Sequence, residues 1–243
     1  MKKTFMGIVI IFLLWQAIVL ISGYPEFILP SPVVVLVNFW KNLLNGLLIK
    51  NSLVTFTEII LGLLLGLGLA FPIGYFLAKF QSIKSLFLPV VAILATIPIV
   101  ALAPLVIIWL GWGLAAKVVI CSLTLFFPVV INTYTGFSGQ DENYAQLMDS
   151  FKADFWQKLI IWELPASLPI LFAGLKIGVT LSVIGAVVGE FVASDKGLGF
   201  LINLAGGLYD TPLRFSAFLM IGIISIGLYS LVDLLEKRTI KWQ

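Results

Sequence analysis

Six apolar runs, at 5–22, 53–78, 86–109, 118–137, 168–192 and 213–235, are the feature that most limits what this chain can fold into. A helix of about 20 apolar residues crosses a hydrocarbon core and satisfies its own backbone polar groups there. Strand-like alternation is absent, so the runs cannot close into a barrel. Only 11% of the 243 residues are charged and the mean hydropathy is +1.11, whereas a soluble domain carries about 25% charged residues. The fold class expected is an all-α polytopic membrane protein, one domain over 1–243, with six transmembrane helices.

The segments between the runs refine this. Met1-Lys2-Lys3 ahead of the first run resembles the start of a signal peptide, but Ser22-Gly23-Tyr24-Pro25-Glu26 is a poor cleavage site, so the run reads as a retained first span. Pro25, Pro30 and Pro32 end it in extended chain. From Val33 to Leu48, Asn38, Lys41, Asn42 and Asn45 recur at helical spacing, which predicts an amphipathic interfacial helix. In the second run Gly62, Gly66, Ala70 and Gly74 fall on one face; in the fifth, Gly174, Gly178, Ser182, Gly185 and Gly189 do the same. Such small-residue stripes let helix backbones approach closely in lipid and place both helices inside a bundle. Pro89, Pro98 and Pro104 predict a kinked, buried third span. Trp109 and Trp112 fit an interfacial aromatic belt. The glycine-rich 193–211 segment reads as an external loop with a short surface or re-entrant helix.

Charge sets the orientation. Nine of the fifteen Lys and Arg residues fall on the side that holds both termini and the 139–165 stretch, five fall on the other, and Lys176 lies within a span. The basic side belongs inside, so both termini are expected in the cytoplasm. The 139–165 stretch, the longest polar interruption, carries seven of the 27 formal charges. Something soluble must meet it. A helix expected over Asn143 to Ala153 would present Tyr144, Leu147, Met148 and Phe151 as an apolar ridge ringed by charge, a shape suited to a partner's groove. Within the spans, Glu58, Lys176 and Glu190 are costly enough to need a partner or a cavity. For Glu58 a structural role is expected, for Lys176 either snorkelling or pairing, and for Glu190 hydrogen bonding at an outer gate. The chain has no histidine and a single cysteine, Cys121, inside an apolar run. That leaves no metal cluster, disulfide or reactive constellation, and nothing suggests nucleic acid.

Several motifs together resemble one family. Pro25-Glu26-Phe27-Ile28-Leu29-Pro30-Ser31-Pro32, then Ile97-Pro98-Ile99-Val100-Ala101-Leu102-Ala103-Pro104-Leu105 with Trp109-Leu110-Gly111-Trp112-Gly113 and Lys117, carry part of the likeness. Gly185-Ala186-Val187-Val188-Gly189-Glu190-Phe191 and Gly197-Leu198-Gly199-Phe200-Leu201-Ile202 carry the rest. These are similar to the membrane subunits of type I ABC importers, in the nitrate, sulfonate and taurine branch that also includes permeases for thiamine pyrimidine precursors and riboflavin. The family's cytoplasmic loop holds an E-A-A, three residues, G, then I-x-L-P signature. Here its end stands as Ile161-Trp162-Glu163-Leu164-Pro165, while Gln146-Leu147-Met148 replaces E-A-A and Lys152 replaces the glycine.

The resemblance implies a non-enzymatic permease of the bacterial cell membrane, a path for a small organic solute or anion. It implies two ABC ATPase subunits that hold the ATP, a second permease copy, an extracytoplasmic binding protein, and no cofactor on this chain. It implies that loop 138–167, through Tyr144, Gln146, Leu147, Met148, Phe151, Lys152, Leu164 and Pro165, couples to the ATPases, and that Pro98, Trp109, Ser182 and Glu190 line or gate the path. No G-x-x-x-x-G-K-[ST] occurs, so ATP is not cradled here by that means. The alternative class, an ion-coupled secondary transporter, should show inverted repeats and charged midplane helices, and the halves show no such likeness.

Overall fold

The computed structural model describes residues 2–241, and every described element is helical. The chain runs α1 (Lys2–Ser22), α2 (Pro32–Leu44), α3 (Leu47–Lys79), α4 (Gln81–Leu94), α5 (Ile99–Leu110), α6 (Leu114–Ser138), α7 (Glu142–Ser150), α8 (Phe155–Gln157), a π-helical turn (Lys158–Glu163), α9 (Leu164–Ala193), α10 (Leu198–Gly207) and α11 (Thr211–Thr239). Among the described residues, α3, α6, the continuous Phe155–Ala193 stretch and α11 are each long and apolar enough to cross a membrane. The α4–α5 pair makes a fifth crossing if its two limbs count as one.

Helix α6 is the axis of the bundle, with α3 on one side and α9 on the other. The glycine stripes explain why. A Cβ built on Gly74 would stand 2.5 Å from Thr133 Cβ of α6, and one on Gly66 would stand 2.6 Å from Leu125 Cδ1. On the other flank, Gly185 sits against Cys121, where an added Cβ would come within 2.7 Å of its Cα, and Gly174 sits against Asn132 at 2.8 Å. Where apolar side chains gain little by turning away from lipid, this backbone proximity supplies the dispersion that holds helices together. Ile59, Leu63, Ala70, Leu125, Val129, Val130, Val179, Val183 and Ala186 fill the seams.

Two smaller cores flank this one. Phe39 of α2, Leu48 of α3, Leu198, Leu201 and Ile202 of α10, and Leu213 and Ala217 of α11 form the first. Thus α2 lays its buried face on protein, and Ser216 of α11 donates to Asn38 Oδ1 at 3.0 Å. Helix α10 likewise buries Leu198, Gly199, Leu201, Ile202 and Ala205, so the short helix expected within 193–211 spans Leu198–Gly207 and docks on the protein along one face. The second small core joins Ala103, Val106 and Ile107 of α5 to Ala116 and Ile120 of α6 and Ala193 of α9.

The third apolar run corrects the expectation of one kinked, buried helix over 86–109. It breaks into α4 and α5, which meet at 97°. Pro98 has no N–H to donate and biases Ile97 away from helical backbone; it takes φ −67°, ψ 117° and starts α5 afresh. Both limbs are largely exposed: Val91 is buried in α4, and Ala103, Val106 and Ile107 in α5. The last helix also runs further than expected, through Lys237 and Arg238 to Thr239.

Candidate functional site

The polar connection between α6 and α9 is built by local capping. Asp141 Oδ1 accepts the Asn143 amide at 2.9 Å and opens α7. Asp154 and Gln157 exchange side-chain and backbone bonds, Gln157 N to Asp154 Oδ1 at 2.8 Å and Asp154 N to Gln157 Oε1 at 2.9 Å, a capping box that opens α8. Between them the expected Asn143–Ala153 helix stops at Ser150, because Lys152 takes φ +54°. That left-handed turn lets α7 reverse into α8. A glycine adopts such backbone at no steric cost, which is a physical reason for the glycine of the signature at this position. Lys158 pairs with Asp149 across the turn.

The expected ridge is present on α7. Tyr144, Leu147 and Phe151 are 57%, 49% and 75% exposed, Met148 is half-buried, and Gln146 and Lys152 flank them in the open. The loop is fastened at its far end. Glu163, only 4% exposed at the close of the π-helical turn, forms an ion pair with Lys79 of α3 and accepts from Tyr75 Oη at 3.1 Å. Its carbonyl accepts from Gln140 Nε2 at 2.7 Å. Leu164 and Pro165 follow directly as the first turn of α9. Ridge and long helices are therefore one mechanical piece.

The opposite end of the bundle, about 31 Å away along α3, holds a second polar cluster. Glu58 of α3 is fully buried and ion-paired with Lys117 of α6, itself 7% exposed. Glu190 of α9 accepts from Thr55 Oγ1 at 2.6 Å and from the Gly199 amide at 2.5 Å. The Gly197 amide donates to Asn51 Oδ1 and the Leu198 amide to Thr55 Oγ1, each at 2.8 Å. Three orphan donors at the start of α10 are thus satisfied by α3 and α9, with a carboxyl at the positive end of the helix.

Of the four residues expected at the path, the structure brings none together with another. Pro98 lies exposed at the α4–α5 break and Trp109 is 74% exposed at the end of α5. Ser182 is fully buried, its hydroxyl turned back onto Val179 O at 2.7 Å. Glu190 is buried in the cluster just described. Open space instead borders the break: a cavity of about 270 Å³ lined by Leu94, Ile97, Ile99, Thr124, Phe127 and Leu181. Lys176 is paired, with Asp233 at 2.7 Å and Glu236 at 2.5 Å on α11.

Sequence reasoning missed Lys117, Lys79, Asp233 and Glu236. It counted Lys117 and Lys79 as loop charges and left Asp233 and Glu236 in the last span and its tail. One signal was available: Glu58 needed a cation, and a lysine at the edge of another apolar run could supply it.

The family described as binding-protein-dependent transport system inner membrane component matches residues 62–241. The chain belongs to that family. This permease is 42% identical over 236 residues to the riboflavin transport system permease protein RibX of Chloroflexus aurantiacus, covering 97% of this chain and 88% of that protein. It is 31% identical to an aliphatic sulfonates transport permease protein, SsuC, of Bacillus subtilis, over 96% of this chain and 85% of that one. Its fold matches the MetNI methionine ABC transporter in an inward-facing conformation with a TM-score of 0.72 at 16% identity, covering 81% of this chain and 97% of that chain. The chain is therefore a multi-pass plasma-membrane permease with the fold of an ABC importer's transmembrane domain.

Proposed function

We propose that this permease forms, as a pair of copies, the translocation path of an ATP-driven importer whose cargo is a riboflavin-like solute. In this reading six spans cross the membrane with both termini in the cytoplasm. Two ATPase subunits hold the ATP, an extracytoplasmic binding protein delivers the cargo, and the chain itself carries no cofactor and catalyses no reaction. The solute rests on the higher identity to the riboflavin permease, 42% against 31% for the sulfonate one.

The observation that carries the coupling is the exposed ridge of Tyr144, Leu147, Met148 and Phe151 on a loop bound through Glu163 to α3 and continuous with α9. Gln146 and Lys152 border the ridge where a partner's groove would close, and Leu164-Pro165 passes the motion into α9. Movement of the two ridges by closing ATPases then shifts the attached helices as rigid bodies. Reconstitution with the ATPases and binding protein tests this. Leu147→Asp combined with Lys152→Glu should abolish ATP-driven riboflavin uptake while the permease still inserts. Uptake at the wild-type rate would refute the coupling role, and uptake driven by a proton or sodium gradient alone would refute the importer.

A further inference from the structure

Where the Gly111–Gly113 turn meets the end of α9 and the start of α10, a cleft of about 390 Å³ opens between Trp112, Phe191 and Phe200, with Ser194 and Asn203 on its rim. A second recess of about 360 Å³ shares Trp112 and Ser194 with it and reaches Lys117 and Asp195. Both fall within the ~300–1,000 Å³ of pockets that take small organic ligands. Trp112 is 80% exposed and Phe191 41%. Phe191 also heads a row of exposed α9 residues, Ala173, Ile177, Thr180 and Ile184, spaced at helical intervals below it.

We infer that this cleft is a stacking site at the outer mouth of the path and that it receives a flat, uncharged heteroaromatic ring. This rests on the importer reading above and names the solute's chemistry at a site. Three aromatic side chains offer ring faces and edges, which favour offset-stacked or edge-to-face partners. The rim supplies in-plane groups. The Trp112 indole N–H is an exposed donor, and Asn203, which spends its Nδ2 on Phe191 O at 3.4 Å, keeps its Oδ1 as an acceptor.

The charges argue against an anion. Lys117, the one cation bordering the two recesses, has its ammonium engaged by Glu58 and by Ser194 Oγ at 3.1 Å. Asp195 on the same rim is exposed and faces Lys196 at 3.8 Å, so each of these charges already has an opposite one beside it. A sulfonate would meet cations already engaged by carboxylates and would have to compete with Glu58 and Asp195 for them. A neutral ring with hydrogen-bonding edges meets neither penalty.

The test uses the permease complexed with its ATPases in nanodiscs, without the binding protein, titrated against riboflavin and read by polarisation of riboflavin's own emission. Trp112→Ala should raise the half-saturating concentration about tenfold, and Phe200→Ala should raise it several-fold, while Trp112→Phe, which still stacks, should stay within about twofold. Trp40→Phe, an exposed ring on α2, should leave the titration at wild type. Taurine at high concentration should not displace riboflavin. Half-saturation unchanged in both Trp112→Ala and Phe200→Ala overturns the site and leaves Trp112 as a membrane-interface anchor. Wild-type uptake of taurine but not riboflavin in the complete system sinks the solute reading itself, a result separable from the first.

Discussion

Lys117→Met is the substitution whose cost follows most directly from the structure. It keeps the length of the side chain and removes the ammonium, leaving Glu58 at 0% exposure with its one ion-pair partner gone. Removing one member of a buried pair costs about 3–5 kcal/mol, because the remaining charge has neither water nor a counter-ion. In a chain of this size each kcal/mol lowers the unfolding midpoint by about 2–4 °C, so the expected loss is on the order of 10 °C. Thermal unfolding of the detergent-solubilised permease reads this directly. The double variant Glu58→Leu with Lys117→Met removes both charges and should recover most of the loss, since replacing a buried pair by apolar groups is often neutral. The difference between the double and the two single variants is the coupling energy. A Lys117→Met protein as stable as wild type, or a double variant no better than Lys117→Met, would show that the pair is solvated and the reasoning false.

Three further outcomes are expected. Gly74→Val should cost at least about 1–3 kcal/mol, because its Cβ would stand 2.5 Å from Thr133 Cβ and 2.9 Å from the Val130 carbonyl oxygen. Gly68→Val, which meets nothing within 4 Å, should be silent by the same unfolding assay. Glu190→Ala should free the start of α10, and amide exchange over 198–202 should quicken by about 5- to 100-fold, the loss of one or two buried hydrogen bonds. Glu190→Gln, which keeps an acceptor for Gly199, should exchange nearly as slowly as wild type. Lys79→Met should loosen the loop at Glu163, and the amount of the proposed solute taken up per ATP hydrolysed should fall in the reconstituted permease with its proposed ATPases.

The bundle was legible where its cause was periodic. Gly62, Gly66 and Gly74, and Gly174, Gly178, Gly185 and Gly189, announced two faces that pack closely, and these are the faces that clasp α6. Pro98 announced a disturbance, but a proline's effect depends on what replaces the lost hydrogen bond, so composition could not separate a kink from a 97° break. The polar pairs were illegible for a related reason. Lys117 and Glu58 are 59 residues apart and Lys79 and Glu163 are 84 apart. Glu58 called for a partner without naming it, and Lys117, Lys79 and Glu163 look like ordinary boundary charges until α3, α6 and α9 are set side by side. The ridge on α7 was readable from spacing; its abrupt end at Lys152 was not, because a left-handed lysine is a rare conformer with no pattern of its own.

The two polar clusters and the break in the third run divide mechanical labour. At the loop end, Glu163 binds α3 through Lys79 and Tyr75, and its carbonyl meets Gln140 just past α6. A force on α7 therefore reaches all three helices of the core together. At the far end, Asn51, Thr55 and Glu190 hold the first turn of α10 to α3 and α9, so the same core carries α10 with it. Helices α4 and α5 stand outside this frame: they bury few side chains and meet at a 97° break where Pro98, with no N–H, cannot carry one helix into the next. Motion falls where the fewest buried contacts must be broken. The α4–α5 limbs, beside the cavity at Ile97 and Phe127, are the elements that can shift against a core whose helices are fastened together.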